Sequence, residues 1–373
     1  MFGGSTSINF MAYTRGSKDD FDRYAKLTGD KGWSWESLQP YFRKNERFSP
    51  PVDHHNTTGQ FDPAVHGFTG VNSVSLAGFP RPINQRVLQV TQEQPETFPF
   101  NLDMNSGKHI GISWAQSTIK NGQRSSSATS YMAPQLVNRS NLHVLLHAHV
   151  TRLVQTGSSG RKEFRRVEFS QTINGTIGPR KQISASKEVI LAAGALGSQQ
   201  FSYTQLGIKA LHDLPAVGQN LVDHPLTPNS WLVNSNDTFE THERDPALQA
   251  ADLAQWRLNK TGYLATGRSS FLGWLRLPQN ASIFERFQDP SAGPHTAHIE
   301  LLISNGLNVI QTPPPGNFFG VGTGVVSPAS RGTVTINSTD PFAPPIIDPG
   351  LMTSEFDLFT MREAMRLANR FAL

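Results

Sequence analysis

The stretch FGGSTSINFMAYTRGSKDDFD, residues 2–22, decides how this sequence is interpreted. Gly3 and Gly4 carry no Cβ atoms, so the backbone there can pass close to a bulky ligand. Ser5, Thr6 and Ser7 are predicted to cap a helix that follows, and the N–H groups at a helix N-terminus favour an anion such as pyrophosphate. A plain Gly-Gly turn before a helix explains these residue types equally well, so the residues alone leave both interpretations open.

Composition limits the classes of protein that fit. A chain of 373 residues, 37% of them hydrophobic, can form two domains or one intertwined pair around a packed core. A net charge of +4 without a basic run gives no indication of nucleic-acid binding, and no apolar stretch approaches the roughly 18 residues of a membrane span. The absence of Cys excludes disulfides, thiol catalysis, Fe–S clusters and Cys-ligated zinc.

The order of residues in the opening stretch is more specific than its chemistry. It resembles the first signature of the glucose–methanol–choline (GMC) oxidoreductases, which are FAD-dependent alcohol oxidases and dehydrogenases, and among them most resembles the fungal aryl-alcohol oxidases. Further segments resemble the family in the same order: KEVILAAGALGS from Lys187, VGQNLVDHP from Val217, VNSNDTF from Val233 and SPASRGTVTI from Ser327. In that family the opening signature lies well inside the polypeptide, so we expect this chain to be a fragment.

The resemblance implies FAD as the cofactor and a set of residues that contact it. Those expected to lie against the flavin and pyrophosphate are Gly3, Gly4, Ser5, Asn9, Phe10, Met11 and Ala12. Val150 is expected to pack on the adenine, with Ala193 and Gly194 approaching the same end of the cofactor. Simpler interpretations are a core Val on an alternating strand, a tight turn at Ala193 and Gly194, and a core Phe at position 10.

The family's architecture implies two intertwined parts. One is an incomplete α/β FAD-binding domain, expected at residues 1–45 and 121–225. The other is an α+β substrate domain on a mainly antiparallel sheet with covering helices, expected at 46–120 and 226–373, with the family's C-terminal module starting near 327.

Local patterns predict the individual elements. We expect helices from Trp33, over Pro82–Glu96, from Arg124 (RSSSATSYMAP, with a Ser cap), over Pro246–Asn259 and over Ser354–Leu373. Strands are expected from Val71, Asn141, Phe164 and Gln182, and over Asn229–Val233, Phe271–Leu277, His298–Ile303, Val321–Val326 and Thr333–Asn337. The apolar run Val189–Ala193 is typical of a strand buried on both faces of a parallel sheet.

Three features depart from the family pattern. No G-x-G-x-x-G fingerprint occurs, and that motif supplies the main pyrophosphate loop. None of the 12 His residues lies in the context of the family's catalytic base, which is expected beyond Leu373. The run SQQFSYTQLGI from Ser198 lacks an expected loop, which suggests an internal deletion. We therefore expect this chain alone to bind FAD weakly and to be inactive.

Two further features of the sequence are closely spaced histidines and N-glycosylation sequons. His147 with His149 and His295 with His298 have spacings compatible with a metal site, but no carboxylate pattern accompanies them, so structural roles are favoured and no metal is expected. Seven N-x-S/T sequons favour a secreted, glycosylated parent protein, although this chain shows no signal peptide.

The resemblance implies oxidation of a primary, aromatic or allylic, alcohol to the aldehyde, with O2 or a quinone accepting the electrons. The expected partners are thus a small-molecule alcohol and that acceptor, with no nucleic acid and no membrane, and the oligomeric state is left open. Two alternatives are a hydroxynitrile lyase on the GMC fold and a non-catalytic secreted binding glycoprotein.

Overall fold

The structure is a computed structural model that describes residues 2–157, 163–198, 214–307 and 314–373. Contacts divide the chain into two units that alternate along it. The first unit comprises Met1–Arg139, His224–Ala329 and Glu355–Leu373, and the second comprises Ser140–Asp223 and Ser330–Ser354. The predicted FAD-binding and substrate domains are defined by the ligand each would bind, whereas these units are defined by contacts within the chain. The boundaries of the predicted domains therefore stay a prediction. The expected gap after Ser198 lies outside the described residues.

The helices of the described residues are mostly short. They are α1 (Lys18–Thr28), α2 (Trp35–Asn45), α3 (Ile83–Glu93), α4 (Pro134–Val137), α5 (Gly194–Gly197), α6 (Phe239–Arg244), α7 (Pro246–Asn259) and α8 (Glu355–Ala372). The expected helices from Trp33 and Pro82 and the two expected C-terminal helices are therefore present, with small shifts of their ends.

The strands form several sheets. They are β1 (Glu46–Phe48), β2 (Asn72–Leu76), β3 (Gly111–Trp114), β4 (Gln116–Ser117), β5 (Ile119–Lys120), β6 (Gln123–Arg124), β7 (Ala148–Val154), β8 (Arg166–Ile173), β9 (Thr176–Ile177), β10 (Lys181–Ser184), β11 (Leu226–Leu232), β12 (Ser269–Leu275), β13 (Ile299–Ser304), β14 (Phe318–Val325), β15 (Thr333–Thr335) and β16 (Ile346–Asp348). All the described pairings between these strands are antiparallel except β1 with β2. The expectation of mainly antiparallel sheets is confirmed.

The core of the first unit lies on one face of a five-stranded sheet ordered β11-β14-β13-β12-β3. Side chains alternate between the two faces of a strand, so Ile299, Leu301 and Ile303 of β13 share this face. They pack with α3 and α8 in one buried cluster. Helix α8 fits because its buried residues recur every three or four positions: Phe356, Thr360, Ala364, Ala368 and Phe371.

The second unit contains an antiparallel sheet ordered β10-β8-β7, with β9 paired to β8. Strands β15 and β16 form a separate pair in the same unit. Strand β7 carries a register shift between Val150 and Arg152, which marks a bulge.

The helix predicted directly after the Gly-Gly pair is wrong. Residues Gly4–Ser7 form a short 3₁₀ turn without a side-chain cap. The hydroxyl groups there donate to backbone carbonyls instead, Thr6 to Gly3 and Ser7 to Phe2. The first α-helix begins at Lys18, where Ser17 forms a capping box with Asp20.

The Ser-capped helix predicted from Arg124 is also wrong. Residues 127–132 form turns, and α4 begins only at Pro134. The hydroxyls of Thr129 and Ser130 both donate to the Ser126 carbonyl, which stabilises a turn in competition with a helix.

The strand predicted over Val189–Ala193 is absent from the structure, which leaves these residues irregular. A strand buried on both faces needs neighbouring strands and covering helices. No described strand pairs with this run, and the Ile190 side chain is 77% exposed. Within the described ranges, no helix has the length and apolarity needed to cross a membrane.

Candidate functional site

The loop formed by residues 3–12 is closed by hydrogen bonds near its start. The Gly3 carbonyl accepts from the Thr6 hydroxyl (2.5 Å) and from the Ser127 hydroxyl (2.7 Å). Gly3 has a φ of +86°, and a Cβ atom there would lie 2.9 Å from the Cβ of Ala128. Glycine at position 3 is therefore required by the chain's own packing as well as by its backbone conformation.

Arg124 holds the middle of this loop. Its Nη1 donates to the carbonyl and to the side-chain oxygen of Asn9, both at 2.8 Å, and to the Thr6 carbonyl at 3.2 Å. Arg124 ends strand β6, so a side chain on a short hairpin fixes two turns of the loop at once. The sequence reasoning missed this residue because the contact spans more than a hundred residues.

The end of the loop contains a strained residue. Met11 has a φ of 64°, a left-handed conformation that is unfavourable for a side chain with a Cβ. Its N–H donates to the Asn9 side chain (3.1 Å) and its carbonyl accepts from the Thr118 N–H (2.8 Å). Ala12 then pairs with Ser117 through an isolated bridge. Strain held in place by several bonds is typical of binding and active sites.

The loop presents an open side. Ser5, Asn9 and Ala12 are exposed, and Phe10 is 76% exposed. A core position for Phe10, one of the two sequence interpretations, is therefore wrong. A Cβ added at Gly4 would meet no atom within 4 Å, so a ligand has room to approach this backbone.

The other predicted cofactor residues belong to the second unit. Val150 is half-buried in β7, where it pairs with Phe169 of β8. Ala193 and Gly194 are exposed at the start of α5, and Gly194 has a φ of +78° with open space where a Cβ would be. Ala193 is thus the N-cap of α5 and Gly194 its first residue. Contact of these three residues with a cofactor stays a prediction.

The face of the five-stranded sheet opposite α8 carries a second group of functional candidates in the first unit. Trp274 of β12 and Glu300 of β13 are directly opposite each other across the two strands. On the other side of Glu300, β14 contributes Gly324. A Cβ built on Gly324 would lie 3.7 Å from Glu300 Oε2, so the carboxyl lies close to the backbone of β14.

The electrostatics of this face depend on burial. Burial raises the pKa of Glu300 to about 7. His109, which lies against the Trp274 ring at a centroid distance of 4.0 Å, is also buried, and burial lowers its pKa to about 4. His109 is therefore neutral at physiological pH, and its Nε2 lies 3.3 Å from the Thr14 hydroxyl. A carboxyl group that titrates near pH 7 can give or accept a proton under ordinary conditions.

The sequence reasoning missed His109, Trp274 and Glu300. One signal was available for Glu300: in the run IELLIS, alternation places it on the opposite face from Ile299 and Leu301. Its raised pKa depends on burial by the neighbouring strands. The pairing of those strands cannot be predicted from this one segment.

Three of the four paired histidines, His149, His295 and His298, contact separate partners. His149 contacts the Pro341 carbonyl at 2.9 Å and the Phe342 ring, all in the second unit. His295 contacts Asp19, whereas His298 contacts Asp289. Over the part of the chain that the structure describes, no group of three or more His, Cys, Asp or Glu residues is arranged to hold a metal ion.

Comparisons with known proteins agree with the fold. Dehydrogenase eriK of Hericium erinaceus is 35% identical over 387 residues, covering 100% of this chain and 63% of the relative. A pyranose dehydrogenase of Agaricus xanthodermus is 37% identical over 397 residues, covering 99% of this chain and 63% of the relative. The chain thus spans less than two thirds of the length of these relatives.

A solved structure and the family profiles complete the comparison. An FAD-dependent oxidoreductase from Chaetomium thermophilum superposes with a TM-score of 0.84 at 25% identity, covering 98% of this chain and 68% of that one. The profiles of the GMC oxidoreductase N-terminal and C-terminal domains match residues 1–226 and 328–372. The resemblance noted in the sequence is therefore confirmed: this chain belongs to the GMC oxidoreductase family.

Proposed function

We propose that this chain is part of an FAD-dependent oxidoreductase that oxidises a CH–OH group of a small molecule. The observation that carries the proposal is the loop of residues 3–12, because it is fixed from one side by Arg124 and Ser127 and open on the other. FAD, when bound, supplies the acceptor for the hydride that leaves the carbon bearing the hydroxyl.

The residues of the loop fit such a cofactor. The backbone at Gly4 has free space around it, and Asn9, Phe10 and Ala12 are exposed on the open side of the loop. These residues would bind and orient the flavin end of FAD. Val150, Ala193 and Gly194 would contact the rest of it. Arg124 would keep the loop in place before the cofactor arrives.

The favoured substrate is a primary aromatic or allylic alcohol, oxidised to the aldehyde with O2 accepting the electrons. Support comes from two segments that resemble the aryl-alcohol oxidases in particular, VNSNDTF from Val233 and WLRLP from Trp274. A sugar with a quinone acceptor is the second candidate, because a relative at 37% identity is a pyranose dehydrogenase.

The decisive experiment uses the protein encoded by the longest open reading frame that contains this chain, reconstituted with FAD. It compares how different substrates reduce the bound flavin. Anaerobic bleaching of flavin absorbance would be measured with benzylic alcohols and with aldopyranoses. Bleaching by the alcohols and rapid reoxidation by O2 are expected. Bleaching by sugars alone would replace the first candidate with the second, and a protein that never binds flavin would refute both.

We further propose that residues 1–373 on their own bind FAD weakly and do not turn over. The proposal is supported by the missing G-x-G-x-x-G motif and by the lack of a His in the family's catalytic context among these residues. Retained flavin fluorescence after gel filtration and peroxide release with benzylic alcohols would be measured on the purified chain. Steady turnover would contradict the proposal.

Secretion and glycosylation of the parent protein are proposed as well. Every sequon asparagine is exposed: Asn56, Asn138, Asn174, Asn236, Asn259, Asn280 and Asn337. Asn174 lies at a hairpin tip with a φ of 50°. Expression through a eukaryotic secretory pathway should give a mass that falls on treatment with an N-glycosidase, and an unchanged mass would contradict glycosylation.

A further inference from the structure

A buried charged cluster includes Arg15, which follows the loop of residues 3–12, called the cofactor loop from here on. It consists of Arg15, Glu46, His66 and Asp103, which are between 0% and 6% exposed. Arg15 follows the loop in sequence, Glu46 starts β1, and the other two come from connecting segments. Buried charges are expensive unless they are paired, so this cluster needs an arrangement in which each group has a partner.

His66 lies between two carboxylates. Its Nδ1 is 2.7 Å from Glu46 Oε1, and its Nε2 is 2.7 Å from Asp103 Oδ2. Ionised carboxylates can only accept hydrogen bonds, so both ring nitrogens must carry a proton, and His66 must be an imidazolium. Arg15 contacts the other oxygen of Glu46 at 2.6 Å. Two positive and two negative charges then balance, whereas a neutral His66 would leave a net negative charge inside the unit.

The cluster is connected to the backbone of residues 13 and 15 by two amide side chains. Gln116 donates to Asp103 at 3.2 Å. Asn105 donates to the Gln116 side chain (2.8 Å) and to the Tyr13 carbonyl (3.2 Å), and accepts from the Arg15 N–H (2.5 Å). The Tyr13 N–H in turn donates to the Gln116 carbonyl at 2.8 Å.

We propose that His66 is a positioning residue, whose buried proton holds Asp103 and Glu46 together and thereby fixes the backbone of residues 13–15, directly after the cofactor loop. With His66 neutral, one of the two short contacts loses its proton. Asp103 and Glu46 are then free to separate, and the Asn105–Gln116 link to Tyr13 and Arg15 loosens.

The ionisable groups around His66 support this assignment. Burial is the largest influence and lowers the pKa of His66, but the hydrogen bonds and charges of Asp103 and Glu46 together outweigh it and raise the pKa. For Asp103, burial raises the pKa, yet the contact with His66 and backbone N–H groups brings it below its usual value. Tyr13 and Arg15 are the other titratable groups at the cluster, and the pKa of Tyr13 is raised, chiefly by burial. His66 therefore keeps its proton to a higher pH than an ordinary histidine does.

The test is hydrogen exchange, measured by mass spectrometry on peptides spanning residues 9–16 of the purified chain without FAD. After correction for the intrinsic pH dependence of exchange, protection of this segment should fall by about tenfold or more between about pH 6 and pH 9. The variant His66→Gln should show low protection at every pH. A flat wild-type profile, or a variant that keeps the wild-type profile, would overturn the proposal.

His298→Gln is the matched control. His298 is also buried, but its Nδ1 accepts from the Leu277 N–H while its Nε2 faces Asp289, an arrangement that a neutral ring satisfies. This variant should keep the wild-type pH profile of residues 9–16. If His66→Gln fails to fold, ¹⁵N chemical shifts of the wild-type imidazoles decide: a singly protonated His66 ring at about pH 6 would refute the proposal.

The bearing of this cluster on FAD rests on the proposed function. Hydrogen exchange is measured without flavin, so it tests the role of His66 separately from FAD binding. If protection falls with pH but the protein never binds FAD, only the proposed oxidoreductase function is refuted. If protection stays unchanged with pH and the protein does bind FAD, only the role of His66 is refuted.

Discussion

Replacing Glu300 with glutamine should stabilise the first unit in mildly alkaline solution. Burial raises the pKa of this carboxyl from 4.5 to about 7, so ionising it costs more in the folded than in the unfolded state. At about 1.4 kcal/mol per pKa unit, the difference amounts to about 3 kcal/mol once the group is ionised in both states. Glutamine has nearly the same shape and never ionises, so the variant avoids this cost.

The sign of the effect follows from where the protons are bound. Below about pH 4.5 the carboxyl is protonated in both states and the cost is absent. Between that pH and about pH 7 the unfolded state loses its proton first, so the free energy of unfolding of the wild type falls as pH rises. The gain from Glu300→Gln should therefore be near zero at about pH 4 and reach about 3 kcal/mol at about pH 8.

Urea unfolding followed by tryptophan fluorescence at these two pH values measures the effect. Glu285→Gln is the matched control, because Glu285 is exposed and the same change there should alter the free energy of unfolding by less than about 0.5 kcal/mol at both pH values. An equal gain at both pH values, or no gain at the higher one, would refute the view that Glu300 is a desolvated carboxyl.

Four further substitutions have defined outcomes. Phe98→Ala removes a fully buried ring 5.0 Å from Phe371 and should lower the free energy of unfolding by about 3–5 kcal/mol in urea, whereas Phe10→Ala at a 76% exposed ring should change it by less than about 0.5 kcal/mol. Met11→Gly relieves a left-handed backbone and should raise the same free energy by up to about 1 kcal/mol; a loss would mean that the Met11 side chain contributes more than the strain removes. His109→Gln should reduce acid sensitivity, because a pKa lowered to about 4 by burial makes the wild type lose stability as pH falls from about 6.5 to 4, and an unchanged acid midpoint would contradict this.

Local sequence signals predict much of the secondary structure. The helix predicted over Pro246–Asn259 has the bounds of α7, because Asp245 caps it and Pro246 occupies its first turn. Four strands of the five-stranded sheet (β11, β12, β13 and β14) agree with their predicted ranges to within a few residues, whereas β3 is not predicted. These elements are ones in which local preference and tertiary packing agree.

Prediction from the sequence fails where tertiary contacts determine the local structure or the pKa of a group. The run Val189–Ala193 has the composition of a buried strand, yet no described strand flanks it, so it stays irregular and exposed. In the candidate site, the motif reveals the glycines but neither Arg124 nor Glu300. The role of Arg124 depends on a contact with residues far away in sequence, and the pKa of Glu300 depends on what the adjacent strands place beside it.

The position of α8 in the chain has a consequence for biosynthesis. The sheet face that α8 covers is built from strands between Gly111 and Val325, while α8 itself spans Glu355–Ala372. A ribosome therefore delivers the whole sheet before the segment that shields Phe98 and Phe319 leaves the exit tunnel. During that interval the nascent chain displays a wide apolar surface to chaperones and to other chains. Final closure is a late event, joining segments far apart in sequence, and such contacts form slowly.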